Sequence, residues 1–357
     1  MRYILIVTTI LLPTILTGFI WDDNGIAMRQ GIHIEWFRTG GDVGDDGEVI
    51  LAWSDTRNGI RDIFAQKIDS NGNTLWTDGG IEVVTEPGRQ EDPILISDDN
   101  GGAYIIWADY KDEPLYGDVY IQHLDSDGNR TFADSGIGLA TNDNKQWAPN
   151  ACKDGSGGVY VIWNNKEFQT SFGEIYGTHV SSDGIVTNEG LGTPLISYTF
   201  TTEFSNPSLE YAGNGEAIMV WEDPRNDNID IYGQKIRHSD GILEPIWTSA
   251  EEGGIPLCDD DEDQTGPKVT TVNDTYTAVV WEDKRDNLNP DIYGQLIEYQ
   301  QDGSFSVVYE NNGRVIASNS QRQINPRVKA TDGGVFVVWE DYRLYGQPDI
   351  YIQKIDE

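Results

Sequence analysis

Six short segments of the chain each place a carboxylate or an amide one or two residues before a basic side chain. Such a pair could bind the polar groups of a ligand, and we take its members as candidate binding residues. The pair could instead clamp its own loop, because a guanidinium binds a carboxylate in bidentate geometry. The near-identical repetition favours the clamp, since a catalytic centre needs one asymmetric arrangement. The candidate binding residues are Asp55 and Arg57, Asp109 and Lys111, Asn165 and Lys166, Asp223 and Arg225, Asp283 and Arg285, and Asp341 and Arg343.

The third of these segments departs from the others, with Asn164, Asn165, Lys166 and Glu167 in place of the common residues. A later connection, residues 197–205, is rich in aromatic and hydroxyl side chains, which is typical of a sugar-binding surface. Drift of one copy is the alternative explanation for both features. We predict no catalytic residues, because the sequence contains no nucleophile elbow, phosphate loop or zinc motif.

Metal binding is the other chemistry that the composition offers. The acidic run 259–263 could supply oxygens to Ca²⁺, which takes about six to eight of them. Its spacing does not match a calcium loop, however, and a solvated acidic loop is the simpler interpretation. The four histidines form no ligand pair in sequence. We therefore predict no metal site and no cofactor, and we leave Ca²⁺ binding open.

A repeat of about 56 residues positions these segments. Each complete copy contains four strand-like runs separated by glycine-rich turns, and its second run is apolar at consecutive positions and ends on a tryptophan. A strand of that kind is buried on both faces, as in a propeller blade between two neighbours. The sequence therefore predicts an all-β fold, a six-bladed β-propeller with four antiparallel strands per blade. The six tryptophans are Trp53, Trp107, Trp163, Trp221, Trp281 and Trp339.

The two ends of the chain predict how the ring closes. Fourth-strand segments place an aromatic residue four positions before a glycine, as in Trp76 and Gly80. The same spacing occurs at Trp21 and Gly25, whereas the sixth repeat contains no fourth-strand segment. We expect residues 19–28 to complete the last blade, because closure removes the exposed edges that an open array would leave.

Charge and the first residues limit the partners and the location. The chain has 24 Lys+Arg against 60 Asp+Glu, a formal net charge of −36, which repels nucleic acid and anionic lipid surfaces. Residues 1–18 combine a basic start with an apolar stretch and small final residues, which is typical of a secretory signal peptide. An uncleaved N-terminal anchor is the alternative. We predict a secreted or cell-surface monomer with a single domain over residues 19–357, no nucleic-acid partner, and no membrane insertion after signal removal.

The fullest copies of the repeat resemble a known family. The pattern Val-Val-Trp-Glu-Asp-x-Arg followed by Asp-Ile-Tyr-x-Gln, as in residues 279–295, resembles the repeats of secreted bacterial β-propeller proteins, which are largely uncharacterised. The turn at residues 69–76 also distantly resembles the Asp-box of sialidase-type propellers, with its glycine one position early. The resemblance covers residues 20–357 and implies a propeller without a definite activity.

The main functional prediction is an exported, non-catalytic binding module that contacts a glycan or a protein. Its contacts would come from the long charged loops that join second to third strands and fourth strands to the next repeat. One alternative is a glycan-cleaving enzyme, a glycoside hydrolase or lyase with carboxylates near the central funnel, which requires an asymmetric cluster with a perturbed pKa. Another is a structural surface protein whose acidity keeps it soluble.

Overall fold

The computed structural model describes residues 40–43, 47–111, 117–167, 173–197, 205–247, 253–285, 289–300, 304–309, 312–332, 334–344 and 346–355. Within these ranges the fold is all-β: 25 strands form six antiparallel sheets, and there is no helix. It follows that no helical segment able to cross a membrane occurs in the described part of the chain. Each repeat forms one sheet, which confirms the predicted fold class at the level of antiparallel sheets.

Sheets 1 to 3 each contain four strands, paired in chain order. Sheet 1 consists of β1 (Gly40–Val43), β2 (Val49–Asp55), β3 (Asp62–Ile68) and β4 (Ile81–Val84). Sheet 2 consists of β5 (Gln90–Ser97), β6 (Ala103–Asp109), β7 (Asp118–Leu124) and β8 (Ile137–Ala140). Sheet 3 consists of β9 (Lys145–Lys153), β10 (Val159–Lys166), β11 (Glu174–Val180) and β12 (Thr193–Ser197).

In sheets 4 and 5 the fourth strand is split into two pieces that both pair with the third strand. Sheet 4 consists of β13 (Ser205–Tyr211), β14 (Glu216–Asp223), β15 (Asp230–Ser239), β16 (Ile242–Pro245) and β17 (Ile255–Cys258). Sheet 5 consists of β18 (Gln264–Thr271), β19 (Tyr276–Asp283), β20 (Asp291–Tyr299), β21 (Phe305–Val307) and β22 (Arg314–Ala317). Among the described residues sheet 6 has three strands, β23 (Gln323–Thr331), β24 (Gly334–Asp341) and β25 (Asp349–Ile355).

The predicted closure of the ring involves residues 19–28, which lie outside the described ranges. The described sheets do not by themselves form a closed ring. The number of blades and the role of the N-terminal segment therefore stay predictions.

The second-strand tryptophan is the centre of each sheet's core, and all six are buried. In sheet 1 the Trp53 indole reaches Gly80 at the start of the fourth strand, where an added Cβ would lie 2.6 Å from the ring. A larger residue at that position would clash, which explains the glycine that the sequence places there in the first five repeats. The same contact recurs at Gly136, Gly192, Gly254 and Gly313.

The first strands of successive sheets pack side by side, so the sheets share an inner edge formed by these strands. The loops between second and third strands meet the connections that lead into the next first strand. Gln90 N–H donates to the Arg61 carbonyl at 2.8 Å, and Gln323 N–H donates to the Pro290 carbonyl at 2.7 Å. Both loop types therefore lie on one face of the sheet array, here called the upper face, as predicted.

Candidate functional site

The predicted acid and base pairs form a repeated clamp at the upper end of the second strands. In sheet 4 the Asp223 carboxylate accepts the Trp221 indole N–H at 2.9 Å, and Arg225 donates to both of its oxygens at 2.9 and 2.6 Å. The Arg225 guanidinium also lies 3.9 Å from the Tyr232 ring centroid. Equivalent side-chain contacts join Asp55 with Arg57, Asp283 with Arg285, and Asp341 with Arg343. In sheet 2 the Lys111 backbone N–H donates to Asp109 at 3.0 Å, and the Lys111 ammonium lies 4.0 Å from the Tyr120 ring centroid.

Burial assigns these carboxylates to the framework of each sheet. The five aspartates of the clamps, and Asn165 at the equivalent position, are at most 1 % exposed. A carboxylate that already binds an indole and a guanidinium offers little to a ligand from solvent. The geometry thus agrees with the clamp interpretation. Ligand binding by the basic members stays a prediction.

Sheet 3 lacks this clamp and leaves buried polar atoms without partners. Trp163 is fully buried, yet its indole nitrogen has no hydrogen-bond partner, because the shared aspartate is replaced by Asn165. The Asn165 amide nitrogen is also unpartnered, and so are both side-chain polar atoms of Asn164, a residue only 1 % exposed. Buried polar groups are normally paired, so the predicted asymmetry of the third repeat is a structural feature of this sheet.

A second asymmetry concerns the residue that directly follows the tryptophan. It is serine, alanine or asparagine in sheets 1 to 3 and glutamate in sheets 4 to 6, at equivalent register positions. Its side chain points away from the clamp, because neighbouring residues of a strand face opposite sides. The residues are Ser54, Ala108 and Asn164 in the first half, and Glu222, Glu282 and Glu340 in the second.

The three glutamates are joined through backbone kinks in the first strands. Glu222 Oε1 accepts the Gly266 N–H at 2.7 Å, and an added Cβ on Gly266 would lie 3.6 Å from the Glu282 carboxylate. Glu282 Oε1 in turn accepts the Asn325 N–H at 2.8 Å, and the Asn325 amide donates to Glu340 at 2.9 Å. Gly266 and Asn325 have φ values of +65° and +55°, so both occupy left-handed positions. The result is a continuous row of carboxylates along the inner edge.

Burial perturbs the titration of two groups in this row. Burial raises the pKa of Glu282, the negative charge of Glu222 raises it further, and the Asn325 N–H opposes the shift. Lys268 on β18 lies within electrostatic reach of both glutamates, and burial together with Arg327 lowers its pKa to about 8. A carboxyl with a raised pKa beside an amine with a lowered one is the type of cluster that acid and base catalysis requires.

Sequence reasoning missed this row because the glutamates belong to the best-preserved copies of the repeat. The signal was present in the sequence, since the residue after the tryptophan divides the repeats into a neutral half and an acidic half. Its location on the inner edge depends on contacts between different sheets, and repeat spacing does not contain that information.

Neither the acidic run nor the histidines form a metal site in the described part of the chain, where no group of three or more His, Cys, Asp or Glu side chains could hold an ion. Asp263 pairs with Lys284 at 3.1 Å, and Asp260 lies 3.8 Å from Arg285. Two of the histidines bond to aspartates of nearby turns, at 2.9 Å for His123 with Asp98 and 2.8 Å for His179 with Asp154.

Comparisons with solved structures identify the fold class. The chain is similar to polysaccharide lyase Uly1, with a TM-score of 0.52 and 8 % identity over 88 % of this chain and 76 % of that one. A protein of unknown function from Dyadobacter fermentans gives 0.49 and 9 % over 89 % and 94 % of the two chains. Penicillium chrysogenum α-L-arabinanase complexed with arabinobiose gives 0.47 and 12 % over 88 % and 92 %.

These neighbours have the propeller-type folds of glycoside hydrolases and lyases. No protein-family model matches the chain, and no curated protein matches it in sequence. Apart from the Dyadobacter protein, the neighbours named above are glycan-cleaving enzymes. The main functional prediction, a non-catalytic binding module, is wrong by this comparison, and the alternative of a glycan-cleaving enzyme agrees better with it.

Proposed function

We propose that the protein is a glycan-cleaving enzyme whose active site is the row of carboxylates on the inner edge of sheets 4 to 6. One observation carries the proposal: Glu282 and Glu340 both accept hydrogen bonds from Asn325, and Glu282 has a raised pKa. One fold hosts many functions, so the proposal depends on the geometry of this site. The structural neighbours suggest only the class of activity, glycan cleavage. The signal-like residues 1–18 support an extracellular place of action.

Two carboxyl groups with different environments are what glycoside hydrolysis needs. Glu282, whose pKa is raised by burial, would donate a proton to the glycosidic oxygen as the bond to the leaving sugar breaks. Glu340, held by the Asn325 amide and the Tyr342 hydroxyl, would act as the carboxylate that activates water or attacks the anomeric carbon. Glu222 would act on the reaction through Glu282, because its charge raises the pKa of that carboxyl.

A lyase reaction is a second candidate that one specific observation favours. Lys268 has a pKa lowered to about 8, which suits a general base near neutral pH. Such a base could remove the proton next to the carboxylate of a uronic acid, with elimination of the glycosidic oxygen. Arg327 lies close enough to Lys268 to influence its pKa and could neutralise the carboxylate of that sugar.

The test is hydrolysis of a polysaccharide panel by the purified protein and by the variant Glu282→Gln. Release of reducing ends detects both reactions, and absorbance of the unsaturated product detects elimination. We expect the variant to lose about 100-fold or more of the activity, the usual range for a general acid. The activity of the wild type should fall as the pH rises through the raised pKa of Glu282.

The matched control is Glu298→Gln, which changes the same residue type in the same sheet. Glu298 accepts a hydrogen bond from the Tyr276 hydroxyl at 3.0 Å. Among the contacts of the described residues, none joins Glu298 to the row of carboxylates. It should keep wild-type activity. Absence of cleavage across the panel, or full activity in Glu282→Gln, would contradict the proposal.

A further inference from the structure

Two histidines from neighbouring sheets are in contact on the face opposite the upper one, here called the lower face. His179 of β11, in sheet 3, stacks on His238 of β15, in sheet 4, with ring centroids 4.1 Å apart and 15° between the ring planes. His179 is only 8 % exposed, and a cavity of about 190 Å³ lies beside both rings. The proposed reaction does not use these residues, which lie at the other end of the sheets from the row of carboxylates.

The two imidazoles bind partners of different charge. His179 Nε2 donates to the Asp154 carboxylate at 2.8 Å, because an ionised carboxylate can only accept. Burial by itself would raise the pKa of Asp154, but hydrogen bonds from His179 and Ser156 hold it well below its usual range, so this group stays charged. His238 Nε2 instead shares a hydrogen bond with the Thr187 hydroxyl at 3.1 Å. A positive charge is therefore balanced by a carboxylate on His179, whereas on His238 it meets a neutral hydroxyl.

Hydrogen bonds around the stacked pair join sheet 3 to sheet 4. The His238 N–H donates to the Tyr160 hydroxyl at 3.0 Å, and that hydroxyl donates to the Gly215 carbonyl at 2.6 Å. The Gly215 N–H donates in turn to the Tyr211 hydroxyl at 3.4 Å. Tyr160 of sheet 3 and Leu243 of sheet 4 also belong to one apolar core. Contact between the two sheets at this place thus depends on the position of His238.

The surroundings of the pair disfavour a proton on His238. Burial lowers the pKa of His238, the charge of His179 lowers it further, and Asp154 opposes the shift. Burial raises the pKa of the Tyr160 phenol and of the Cys152 thiol, so both groups stay neutral. The charged side chains on the nearby strands of sheet 4 pair with each other, Lys235 with Glu216 at 2.6 Å and Arg237 with Glu244 at 2.9 Å.

We propose that His179 and His238 form a pH-sensitive joint between sheets 3 and 4, which is closed near neutral pH and opens when His238 takes up a proton. Two positive rings in van der Waals contact repel each other, and leaving the stack returns the His238 ring to water. A group with a lowered pKa in the folded state stabilises that state above its unfolded pKa, here 6.5, and the contribution is lost as the pH falls through the folded pKa. Acidification therefore weakens the joint. The inference does not depend on the proposed function.

Hydrogen exchange at the His238 amide measures the joint directly, because this N–H donates to Tyr160 of the neighbouring sheet. Protection factors, which correct for the pH dependence of intrinsic exchange, are measured in the full chain at about pH 7.5 and about pH 5, the range in which histidine titrates. We expect protection at residue 238 to fall about tenfold between the two pH values. Protection of the amides of β20, in sheet 5, should stay nearly constant.

Two variants assign the pH dependence to the stacked pair. His238→Phe keeps an aromatic ring in the stack and removes the proton acceptor, so the amide of residue 238 should stay protected at both pH values. His179→Gln removes the neighbouring positive charge and should make the fall smaller than in the wild type. The matched control is His123→Gln in sheet 2, where the histidine bonds to Asp98 at 2.9 Å and contacts the Tyr104 ring. This control should keep the wild-type fall at residue 238.

Constant protection of residue 238 in the wild type would overturn the joint. So would an equal loss of protection in β20, which would show that the whole fold opens, or an undiminished loss in His238→Phe. The wild-type measurement needs no substitution, so the proposal can be refuted even where His238→Phe fails to fold. Loss of the pH dependence in His123→Gln would assign it to sheet 2 and would equally overturn the joint.

Discussion

Asp341 shows how one carboxylate of the repeated clamp contributes to stability. Burial by itself would raise its pKa, but hydrogen bonds from Arg343 and Trp339 outweigh this effect and lower the pKa to about 2. The folded state therefore binds a proton less readily than the unfolded chain, whose aspartates titrate near 3.8. Such a group stabilises the fold above the unfolded pKa, and the contribution is lost as the pH falls through the folded pKa.

We accordingly expect Asp341→Asn to lower the free energy of unfolding by about 2 kcal/mol at pH 7, the range for hydrogen bonds to a charged group. The difference from wild type should shrink as the pH falls from 4 towards 2. Urea denaturation at several pH values measures it. Asp349→Asn, at an exposed position of the same sheet, is the control and should change little. A difference that does not depend on pH would show that the charge of Asp341 has no part in the clamp.

Sheet 3, which lacks the clamp, allows a test of whether the aspartate and arginine of the clamp are sufficient to stabilise a sheet. Trp163 has a buried indole nitrogen without a partner, and residues 165 and 167 are asparagine and glutamate where sheet 4 has aspartate and arginine. We expect Asn165→Asp combined with Glu167→Arg to raise the free energy of unfolding by about 1–2 kcal/mol, since it pairs the indole and builds a bidentate ion pair. Asn165→Asp alone should stabilise less or destabilise, because it buries a charge without the guanidinium. Thermal and urea unfolding of the wild type, the single variant and the double variant measure these free energies. Equal stability of the single and double variants would contradict the prediction.

The sequence predicted individual sheets well and the contacts between sheets poorly. The tryptophan, the Asp-Ile-Tyr run and the turn glycines recur at fixed offsets, and strand pairing within one repeat follows from such local order. The clamp was predictable for the same reason, since Asp223 and Arg225 are two residues apart. The row of glutamates was not, because Glu282 meets Asn325 only through a left-handed kink in the next sheet, 43 residues along the chain.

Within the described part of the molecule, the outer edge of sheet 6 leaves apolar side chains exposed. Ile350 in β25 is 71 % exposed, whereas Ile292 at the same position of sheet 5 is fully buried. A cavity of about 810 Å³ lies between sheets 5 and 6, and Tyr309 and Ile355 are part of its lining. In sheet 1 the aromatic residue equivalent to Tyr309 is Trp76, which packs on a turn of the next sheet, where a Cβ on Gly128 would lie 3.0 Å from its ring. The cavity therefore marks the place where a fourth-strand segment of sheet 6 would pack.

We propose that residues 19–28 supply this segment, since Trp21 and Gly25 repeat the spacing of Trp76 and Gly80. Pairing with β25 would cover Ile350 and Ile352, and each buried isoleucine contributes about 1.5–3 kcal/mol. A chain lacking residues 19–28 should thus unfold at least about 3 kcal/mol more easily, and the amide hydrogens of β25 should exchange faster than those of β20. Removal of residues 2–18, the predicted signal segment, is the control and should leave both quantities unchanged. Fast exchange in β25 of the full chain, or equal stability of the two truncated forms, would mean that the last sheet is not completed by the N-terminal segment.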